Sequence, residues 1–429
     1  MSGEKPREIA VEVLGRRGEG QFTEDLLEQA LTKSPLPTAD RRLCQELVYG
    51  ITRWQATLDW LIERKTGNRP QKAALQNLLR LGLYQIFWLE RIPNHAAVHV
   101  TVELAKRRGF GPQAGFVNAV LRGYLREWES TRLLLADLKN NQAALGYSHP
   151  EWLVTRWQAR WGAAHTAELL AWNNSPPKTF ARVNALKILP EKLLPIWRQE
   201  NVEYDFVRGD WFEDNLIFEL KAFPPLHRLQ SFQQGYFYIQ DPSTLLAVRE
   251  LDPKPGENVL DLCAAPGGKL TYIAQFMGNQ GRIAGHDRNP ARLELLTENC
   301  ARLGVACAEL ASTPHSALRT PHFDRVLVDA PCSNTGVMRR RVDLRWRVSR
   351  PEIERLSRTQ RDLLEEAAAA LRPGGVVVYS TCSLEPEENR DVIAAFLADH
   401  PKFKREAERE LLPFVDGVDG AYVARLRQT

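Results

Sequence analysis

The stretch "ENVLDLCAAPGGKLTYIAQFM", residues 257–277, decides the fold class of the C-terminal part of the chain. An apolar run ends at Asp261 and Leu262, a loop of small residues follows, and apolar residues resume at helical spacing after Gly268. This order predicts a strand, a loop and a helix of a doubly wound α/β sheet. In such sheets, nucleotide-like ligands bind at the carboxyl ends of the strands, so the pattern predicts a Rossmann-like ligand site.

The loop lacks the patterns of phosphate-binding loops. A P-loop has glycine five positions before Gly268 and Ser or Thr after its lysine, where this chain has Cys263 and Leu270. The dinucleotide pattern GxGxxG is also absent from the loop. Gly267 and Gly268 let the backbone approach an adenosine closely, and Asp287, at the end of the next predicted strand, can accept hydrogen bonds from both ribose hydroxyls. Dinucleotides and S-adenosylmethionine share this demand, and the missing phosphate pattern favours S-adenosylmethionine.

Two cysteines each follow a short apolar run. Cys332 lies in "DAPCSNTG" (Asp329–Gly336) and Cys382 lies in "YSTCSLEPEEN" (Tyr379–Asn389). Taken singly, each is more typical of a buried small apolar residue. As a pair at the ends of two strands of one sheet, beside an adenosine-type loop, they favour a chemical role in a common pocket.

Two thiols suit methylation of a pyrimidine at C5. That carbon is too weak a nucleophile to attack a sulfonium methyl group unless a thiolate first adds at C6. Afterwards the C5 proton and the thiol must both leave, so a second acid/base group is useful. The spacing alone does not decide which cysteine acts first. The side chains of Cys44, Cys263, Cys300 and Cys307 are interpreted as structural, and no spacing typical of a zinc site is present, so we expect no metal.

Length and patterning predict three domains. The 429 residues exceed what one core usually serves. Helical spacing predicts an all-α bundle over 1–140, alternating short strands and helices predict a small α/β connector over 141–235, and the Rossmann-like domain covers 236–429. With no apolar run long enough for a membrane span and no secretory signal at the start, we expect a cytoplasmic protein without membrane contact.

The basic excess lies in the predicted bundle, where 1–140 holds 21 Lys and Arg against 16 Asp and Glu. A solvated helix face or contact with RNA would each explain it. A second excess lies in 339–361, with nine arginines and three acidic residues; there we favour a track for RNA phosphates over an exposed helix.

Two sets of motifs carry a resemblance to known families. The segment "IPNHAAVHVTVELAK" with "GFVNAVLR" resembles the NusB family of RNA-binding helical bundles. The motifs "QDPSTLLAV", "LDLCAAPGGK", "FDRVLVDAPCSNTGVMRR" and "YSTCSLEPEEN" resemble the RNA cytosine-5 methyltransferases. The whole chain is similar to their Fmu/Sun (RsmB-type) branch, which modifies 16S ribosomal RNA. The resemblance implies S-adenosylmethionine as cofactor and small-subunit ribosomal RNA as partner, and we expect a monomer.

The resemblance also implies roles for single residues. Cys382 attacks C6, Cys332 helps to release the product, and Asp329 holds the polar edge of the cytosine and borders the cofactor. Asp287 binds the ribose, and Glu309 is the only acidic candidate to read the adenine. The methionine end is wrapped by Cys263, Ala264, Ala265, Pro266, Gly267, Gly268 and Lys269.

The chain departs from the family pattern at two places. The acidic residue after the third strand, often in a Gly-Asp pair, is missing from "ACAELASTPHS", which offers only Glu309. A usual Pro-Asp is replaced by Val342–Asp343.

Two alternatives remain open at this point. The first is the same chemistry on transfer RNA, and the second is a noncatalytic RNA-binding or assembly factor that retains a relict methyltransferase fold. The presence of both thiols and Asp329 argues against the relict fold.

Overall fold

The computed structural model describes residues 4–18, 20–311 and 323–429. Their contacts divide the chain into two units, which are Met1–Ser175 with Met338–Arg347, and Pro176–Val337 with Val348–Thr429. The first unit is helical and the second contains both sheets, which confirms the predicted fold classes. In the described ranges, each helix falls short of the length or apolar character that a membrane crossing demands.

The first unit is built around a helix that is apolar on almost every side. Its α-helices are α1 (Glu4–Arg16), α2 (Thr23–Lys33), α3 (Thr38–Arg53), α4 (Gln55–Thr66), α5 (Ala73–Trp88), α6 (Asn94–Ala105), α7 (Ala114–Arg126), α8 (Trp128–Asn141), α9 (Ala143–Gly146) and α10 (Glu151–Asn174), with a π-helical turn at Lys106–Phe110. Leu78, Leu79, Leu81 and Leu83 of α5 are all fully buried. Since a helix that is apolar all round must be covered all round, α5 lies in the centre and contacts α1, α3, α4, α6 and α7.

The first unit extends beyond the predicted boundary at residue 140. The backbone N–H of Ala56 in α4 donates to Ser148 Oγ (3.0 Å), and the Thr57 hydroxyl donates to the carbonyl of Leu145 (2.7 Å). These bonds fasten the chain after α8 onto the bundle. The contacts therefore group residues 141–175 with the helical unit, whereas the sequence pattern had assigned them to the connector.

A short segment from the C-terminal part of the sequence, Met338–Arg347, also belongs to the first unit. It ends in the single-turn helix α16 (Leu344–Arg347). The guanidinium of Arg345 is fully buried and donates to the carbonyl of Arg53 (3.3 Å) and to Asn174 Oδ1 (2.7 Å). The segment thus fills a polar slot inside the helical unit.

This placement removes two arginines from the predicted phosphate track over 339–361, and the rest of the track stays a prediction. Arg339 is buried and lies over the ring of Trp172 at 3.8 Å, and Arg345 is buried as described above. Buried guanidinium groups that are already hydrogen-bonded or stacked cannot contact phosphates. At least these two arginines serve packing, because the apolar residues between them draw the whole segment into the unit.

The second unit begins with a small antiparallel sheet. It contains β1 (Thr179–Val183), α11 (Pro190–Gln199), β2 (Glu203–Phe206), β3 (Ile217–Ala222), α12 (Gln230–Gln233) and β4 (Phe237–Ile239), in the strand order β2-β3-β1-β4. Trp197 of α11 is fully buried and meets the rings of Phe218 and Phe237 edge-on. The aromatic cluster gives the sheet one covered face, and this sheet is the predicted α/β connector.

The large sheet has seven strands and forms the Rossmann-like part. Its strands are β5 (Asn258–Asp261), β6 (Arg282–His286), β7 (Ala308–Ala311), β8 (Phe323–Asp329), β9 (Leu371–Thr381), β10 (Phe403–Leu411) and β11 (Ala421–Gln428), in the order β10-β11-β9-β8-β5-β6-β7. The flanking helices are α13 (Leu245–Leu251), α14 (Gly268–Phe276), α15 (Pro290–Leu303), α17 (Arg350–Ala370), α18 (Arg390–Asp399) and α19 (Pro413–Asp416). Strands β5 to β9 run parallel, and β10 and β11 complete one edge in antiparallel pairs.

The strand order reverses between β5 and β8. The chain moves outward from β5 through β6 to β7, then returns to the other side of β5 with β8 and β9. Val259 and Leu260 of β5 belong to two different apolar clusters, one on each face of the sheet. In doubly wound sheets the ligand crevice lies where the order reverses, which here is at the carboxyl ends of β5 and β8.

Candidate active site

The loop between β5 and α14 is shaped by two glycines. Gly267 has a φ of 110° and opens α14, and a Cβ there would lie 2.8 Å from Leu296. A Cβ on Gly268 would lie 3.2 Å from both Gln240 and Tyr238. Side chains at these two positions would crowd their neighbours, so the predicted cofactor loop is tightly packed on its protein side.

Three aspartates lie at the carboxyl ends of adjacent strands. Asp261 ends β5, Asp287 directly follows β6, and Asp329 ends β8. Asp261 and Asp287 are buried, and one oxygen of Asp287 accepts from the backbone N–H of Asn289 at 3.0 Å. This acidic edge favours a cationic ligand such as a sulfonium and disfavours the phosphates of a dinucleotide.

Asp261 was not among the predicted site residues, yet it is the most perturbed carboxylate of this edge. Burial, reinforced by the charge of Asp329, raises its pKa to about 7. Its Oδ1 accepts a long hydrogen bond from Cys263 N (3.3 Å), and among the described residues its Oδ2 has no hydrogen-bond partner. A buried carboxylate oxygen without a donor fits a bound ligand that supplies one, such as the ammonium of a methionine moiety. Its position at a strand end, which it shares with Asp287 and Asp329, was the available sequence signal.

Lys269 and Asp329 form an ion pair beneath the loop. Lys269 Nζ lies 2.6 Å from Asp329 Oδ2, and the hydroxyl of Ser380 donates to Asp329 Oδ1 at 2.8 Å. Burial of the ammonium opposes its charge, but Asp329 outweighs this and raises the pKa of Lys269. Two predicted site residues, one from each of two motifs, are thereby brought into contact.

The two predicted catalytic thiols are in contact. Cys332 follows β8 and Cys382 follows β9, and their sulfur atoms are 3.4 Å apart. The Cys382 thiol also donates to Asn334 Oδ1 at 3.0 Å, while Asn334 Nδ2 donates to the carbonyl of Cys332 at 2.6 Å. Asn334 has a φ of 59°, a conformation that asparagine tolerates well. This carboxamide was not predicted as a site residue, although it lies only two residues after Cys332.

The two sulfurs differ in their surroundings. The hydrogen bond with Cys382, together with burial, raises the pKa of the Cys332 thiol well above its ordinary value. Cys382 is only partly buried and is the more accessible of the two. Elsewhere burial raises the thiol pKa of Cys44 and Cys300 to about 12, as befits structural cysteines. Within the described ranges, His, Cys, Asp and Glu side chains form no group of three suited to a metal ion.

The small sheet contributes an arginine to the surroundings of the cofactor loop. This arginine was not among the residues predicted from the sequence. Arg182 of β1 is 1% exposed. Its guanidinium donates to the carbonyl of Gly268 (2.7 Å), to Gln240 Oε1 (2.6 Å) and to Thr271 Oγ1 (3.0 Å), and burial lowers its pKa to about 10. This buried cation therefore donates hydrogen bonds to neutral acceptors. One of these acceptors is a backbone carbonyl of the cofactor loop.

Glu309 does not lie with the aspartates at the carboxyl ends of the strands. It pairs in register with Ala284 of β6, whereas Asp287 comes three residues later, roughly 10 Å further along the strand. Its side chain is 61% exposed and forms an ion pair with Arg282 at the opposite end of β6 (2.7 Å). The predicted adenine contact is therefore not carried forward to Glu309. The residues that follow β7, 312–322, lie outside the described ranges.

Replacing Asp261 with Asn is expected to separate stability from cofactor affinity. A carboxyl whose pKa is raised from 3.8 to about 7 destabilises the fold as pH rises through that window, and the penalty is complete above pH 7. The cofactor-free Asp261→Asn protein should therefore melt higher than wild type at pH 8, but bind S-adenosylmethionine about 10- to 100-fold more weakly. Calorimetric titration at pH 6 and 8 measures both the affinity and its dependence on pH.

The matched control is Asp252→Asn. Asp252 lies at the C-cap of α13 with a φ of 49°, which asparagine also adopts. This variant should retain wild-type affinity at both pH values. Wild-type affinity in Asp261→Asn would contradict a role for Asp261 in binding.

Replacing Arg182 with Met is expected to loosen the cofactor loop. The change removes the charged donor to the carbonyl of Gly268 and to Gln240 Oε1, at a cost of about 1–3 kcal/mol in unfolding free energy. Affinity for S-adenosylmethionine should fall about tenfold, as measured by titration after a thermal melt has confirmed folding. Arg249→Met, which removes an arginine that is 52% exposed on α13, should change neither quantity. Equal effects of the two variants would refute the role of Arg182.

Comparison with known proteins identifies matches along most of the chain. Residues 248–427 match the family described as 16S rRNA methyltransferase RsmB/F, residues 4–126 match the NusB family, and residues 149–219 match the ferredoxin-like domain of RsmF/B-like methyltransferases. A probable ribosomal RNA small subunit methyltransferase B of Bacillus subtilis is 36% identical over 98% of both chains. Ribosomal RNA small subunit methyltransferase B of Klebsiella pneumoniae is 35% identical over 90% of both. A solved methyltransferase homologue from Pyrococcus horikoshii is 31% identical, covers 67% of this chain and 97% of its own, and superposes with a TM-score of 0.58.

Proposed function

Because the chain belongs to the RsmB/F family of 16S ribosomal RNA methyltransferases, we propose that it transfers a methyl group from S-adenosylmethionine to C5 of a cytosine in 16S ribosomal RNA through a covalent adduct with Cys382. The observation that carries this proposal is the contact of Cys332 and Cys382 at 3.4 Å, beside an acidic ligand edge. A methyltransferase that attacks an amino group or a hydroxyl needs no such thiol pair.

The residues of the edge fit S-adenosylmethionine, which supplies the methyl group as an electrophilic sulfonium. Asp261, with its unpartnered oxygen, suits the ammonium of the methionine end, and the loop 263–269 surrounds that end. Asp287 is placed to accept hydrogen bonds from the ribose, since it follows the neighbouring parallel strand.

Cys382 opens the reaction. Its thiolate adds to C6 of the cytosine, forming a carbon–sulfur bond, and the electron pair of the C5–C6 double bond makes C5 nucleophilic. C5 then bonds to the methyl carbon, while the electrons of the broken sulfur–methyl bond stay with the departing sulfur. Lys269 lies close enough to Cys382 for their charges to interact, which puts a positive charge beside the reacting sulfur.

Cys332 closes the reaction. While Cys382 is free, its hydrogen bond keeps Cys332 protonated. Once Cys382 is bonded to C6, that hydrogen bond is lost and Cys332 can release its proton to solvent, since coupled groups titrate in succession. The Cys332 thiolate then accepts the C5 proton, the C5–C6 double bond re-forms, and the C6–sulfur bond breaks to return the Cys382 thiolate. Asp329, fixed by Lys269 and Ser380, is placed to accept from the polar edge of the base.

Binding of the RNA backbone is assigned to the helical unit. Five basic residues at the end of α6, the π-helical turn and α7 are exposed, which makes them available for phosphate contacts. They are Lys106, Arg107, Arg108, Arg122 and Arg126. Arg107 and Arg108 also contact Glu8 of α1 (3.3 and 2.7 Å), so their head groups are already oriented.

Methyl transfer to defined RNA tests the proposal. Purified protein is incubated with methyl-labelled S-adenosylmethionine and undermethylated 16S ribosomal RNA, with total transfer RNA in a parallel reaction, and the products are digested to nucleosides. Label in 5-methylcytidine from 16S RNA is expected. Label in another nucleoside would refute the C5 chemistry, label only in transfer RNA would favour that substrate, and no label in either would favour a noncatalytic RNA-binding factor.

A further inference from the structure

A serine follows each of the two site cysteines, and both serines reach the same carboxylate. The hydroxyl of Ser333 and the hydroxyl of Ser383 each donate to Oε2 of Glu388, the latter at 2.5 Å. The other oxygen, Oε1, accepts from the backbone N–H of Ser333 at 2.8 Å and from Gln360 Nε2 at 3.1 Å. One side chain therefore binds the loop after β8 and the loop after β9 at the residue directly behind each thiol.

The environment of the Glu388 side chain is unusual for a carboxylate. It is fully buried, and the four donors that the structure gives it carry no full charge. Burial raises the pKa of Glu388 despite these hydrogen bonds. A buried acid is costly compared with an apolar residue of the same size. The loops could be packed with apolar side chains at less cost, so the carboxylate points to a requirement for exact geometry.

Glu388 is itself held rigidly. It ends a 3-10 turn, its carbonyl accepts from the hydroxyl of Tyr379 at 2.6 Å, and the next side chain, Asn389, accepts from Thr381 Oγ1 at 2.6 Å and donates to the carbonyl of Ser383 at 2.8 Å. The carbonyl of Glu388 and the side chain of Asn389 are thus tied to β9 and its loop. A carboxylate fixed at this end can dictate where the other loop, with Ser333, must lie.

We propose that Glu388 is a positioning residue that sets the spacing of the Cys332 and Cys382 sulfurs through Ser333 and Ser383. The carboxylate does not touch the cytosine or the cofactor. Its effect on catalysis rests on the proposed two-thiol mechanism, whereas its effect on the distance between the thiols does not. These two effects can be measured separately.

The variant Glu388→Gln keeps the shape but replaces one acceptor oxygen with an NH₂ group. In the wild type Oε1 faces an N–H and an NH₂ group, so the NH₂ of the amide must face the two serine hydroxyls, whose protons then lose their acceptor. The turnover number kcat should fall about 10- to 100-fold, the cost typical of misplacing a reactive group by about 1 Å, while the KM for S-adenosylmethionine stays unchanged. The control Glu406→Gln removes a carboxylate that pairs with Arg425 and Arg427 at the far edge of the sheet, and should leave kcat unchanged.

The distance between the thiols is probed with phenylarsine oxide, which forms one arsenic–sulfur bond to each of two adjacent thiols and releases water. The wild type should bind this probe tightly, and Glu388→Gln should bind it at least tenfold more weakly, with the same total thiol count after denaturation. Unchanged arsenical affinity in Glu388→Gln would overturn the proposal, whatever its kcat. Weaker arsenical binding in a protein whose wild type transfers no methyl groups would uphold the positioning role and refute the proposed function instead.

A second variant tests the proposal in case Glu388→Gln does not fold. Ser333→Ala combined with Ser383→Ala removes the two hydroxyls and leaves the carboxylate in place. This pair should reproduce the arsenical and kcat effects, and adding Glu388→Gln should change little further, because the three residues act as one unit. Additive losses would show that Glu388 acts independently of the serines and would overturn the proposal.

Discussion

Replacement of Cys382 by alanine is expected to lower methyl transfer to RNA by on the order of 10⁴-fold or more, because it removes the thiol proposed to add to C6. The affinity for S-adenosylmethionine should remain within about twofold of wild type, since Cys382 follows β9 and the cofactor loop follows β5. Single-turnover transfer of labelled methyl groups and calorimetric titration measure the two quantities on the same preparation.

The control for this variant is Cys307→Ala, which removes a half-buried thiol next to β7. It should transfer methyl groups at the wild-type rate. Substantial turnover in Cys382→Ala would show that the nucleophile has been misassigned and, if Cys332→Ala were then inactive, that the two roles are reversed.

Replacement of Cys332 by alanine should block the reaction after methyl transfer, and not before it. Cys382 can still add to the cytosine and the methyl group can still be transferred, but the C5 proton has lost its acceptor, so the product stays attached through the C6–sulfur bond. A protein–RNA complex that survives denaturation should therefore accumulate to near the concentration of active sites. Denaturing gels with labelled RNA detect it directly.

Three conditions identify this complex. It should require S-adenosylmethionine, carry label from the methyl group, and disappear when Cys382→Ala is added to Cys332→Ala. A complex that forms in Cys382→Ala alone would assign the attack to Cys332. Rapid release of methylated RNA by Cys332→Ala would mean that another group, for example the Asp329 carboxylate, accepts the proton.

The sequence was sufficient to place the two thiols and the acidic strand ends. In a parallel sheet, residues that directly follow apolar runs must meet at one edge, so the positions of Asp287, Asp329, Cys332 and Cys382 followed from local pattern alone. The structure places them on adjacent strands, with Asp261 between, as that rule requires.

The supporting residues could not be found in this way because their partners are far away in the chain. Arg182 contacts the carbonyl of Gly268, 86 positions later, and Ser333 contacts Glu388, 55 positions later. A buried arginine and a buried glutamate also contradict the usual rule that charged residues lie outside, so their sequence neighbourhoods gave no sign of them. Glu309 was predicted because it is the only acid in its segment. Its side chain nevertheless lies away from the end of the sheet where Asp287 is found.

The segment Met338–Arg347 has a consequence for how the chain is made. Trp346 Nε1 donates to the carbonyl of Thr52 (2.8 Å), and Arg345 donates to the carbonyl of Asn173 (3.0 Å), so the helical unit is complete only after residues far downstream have emerged from the ribosome. At roughly 5–20 residues per second, the stretch from Ser175 to Arg345 takes on the order of 10–30 s to synthesise. Throughout that time carbonyl groups of the nascent bundle lack their final hydrogen-bond donors. The last step in folding of the helical unit therefore comes late, after β8 and the loop with Cys332 have been translated.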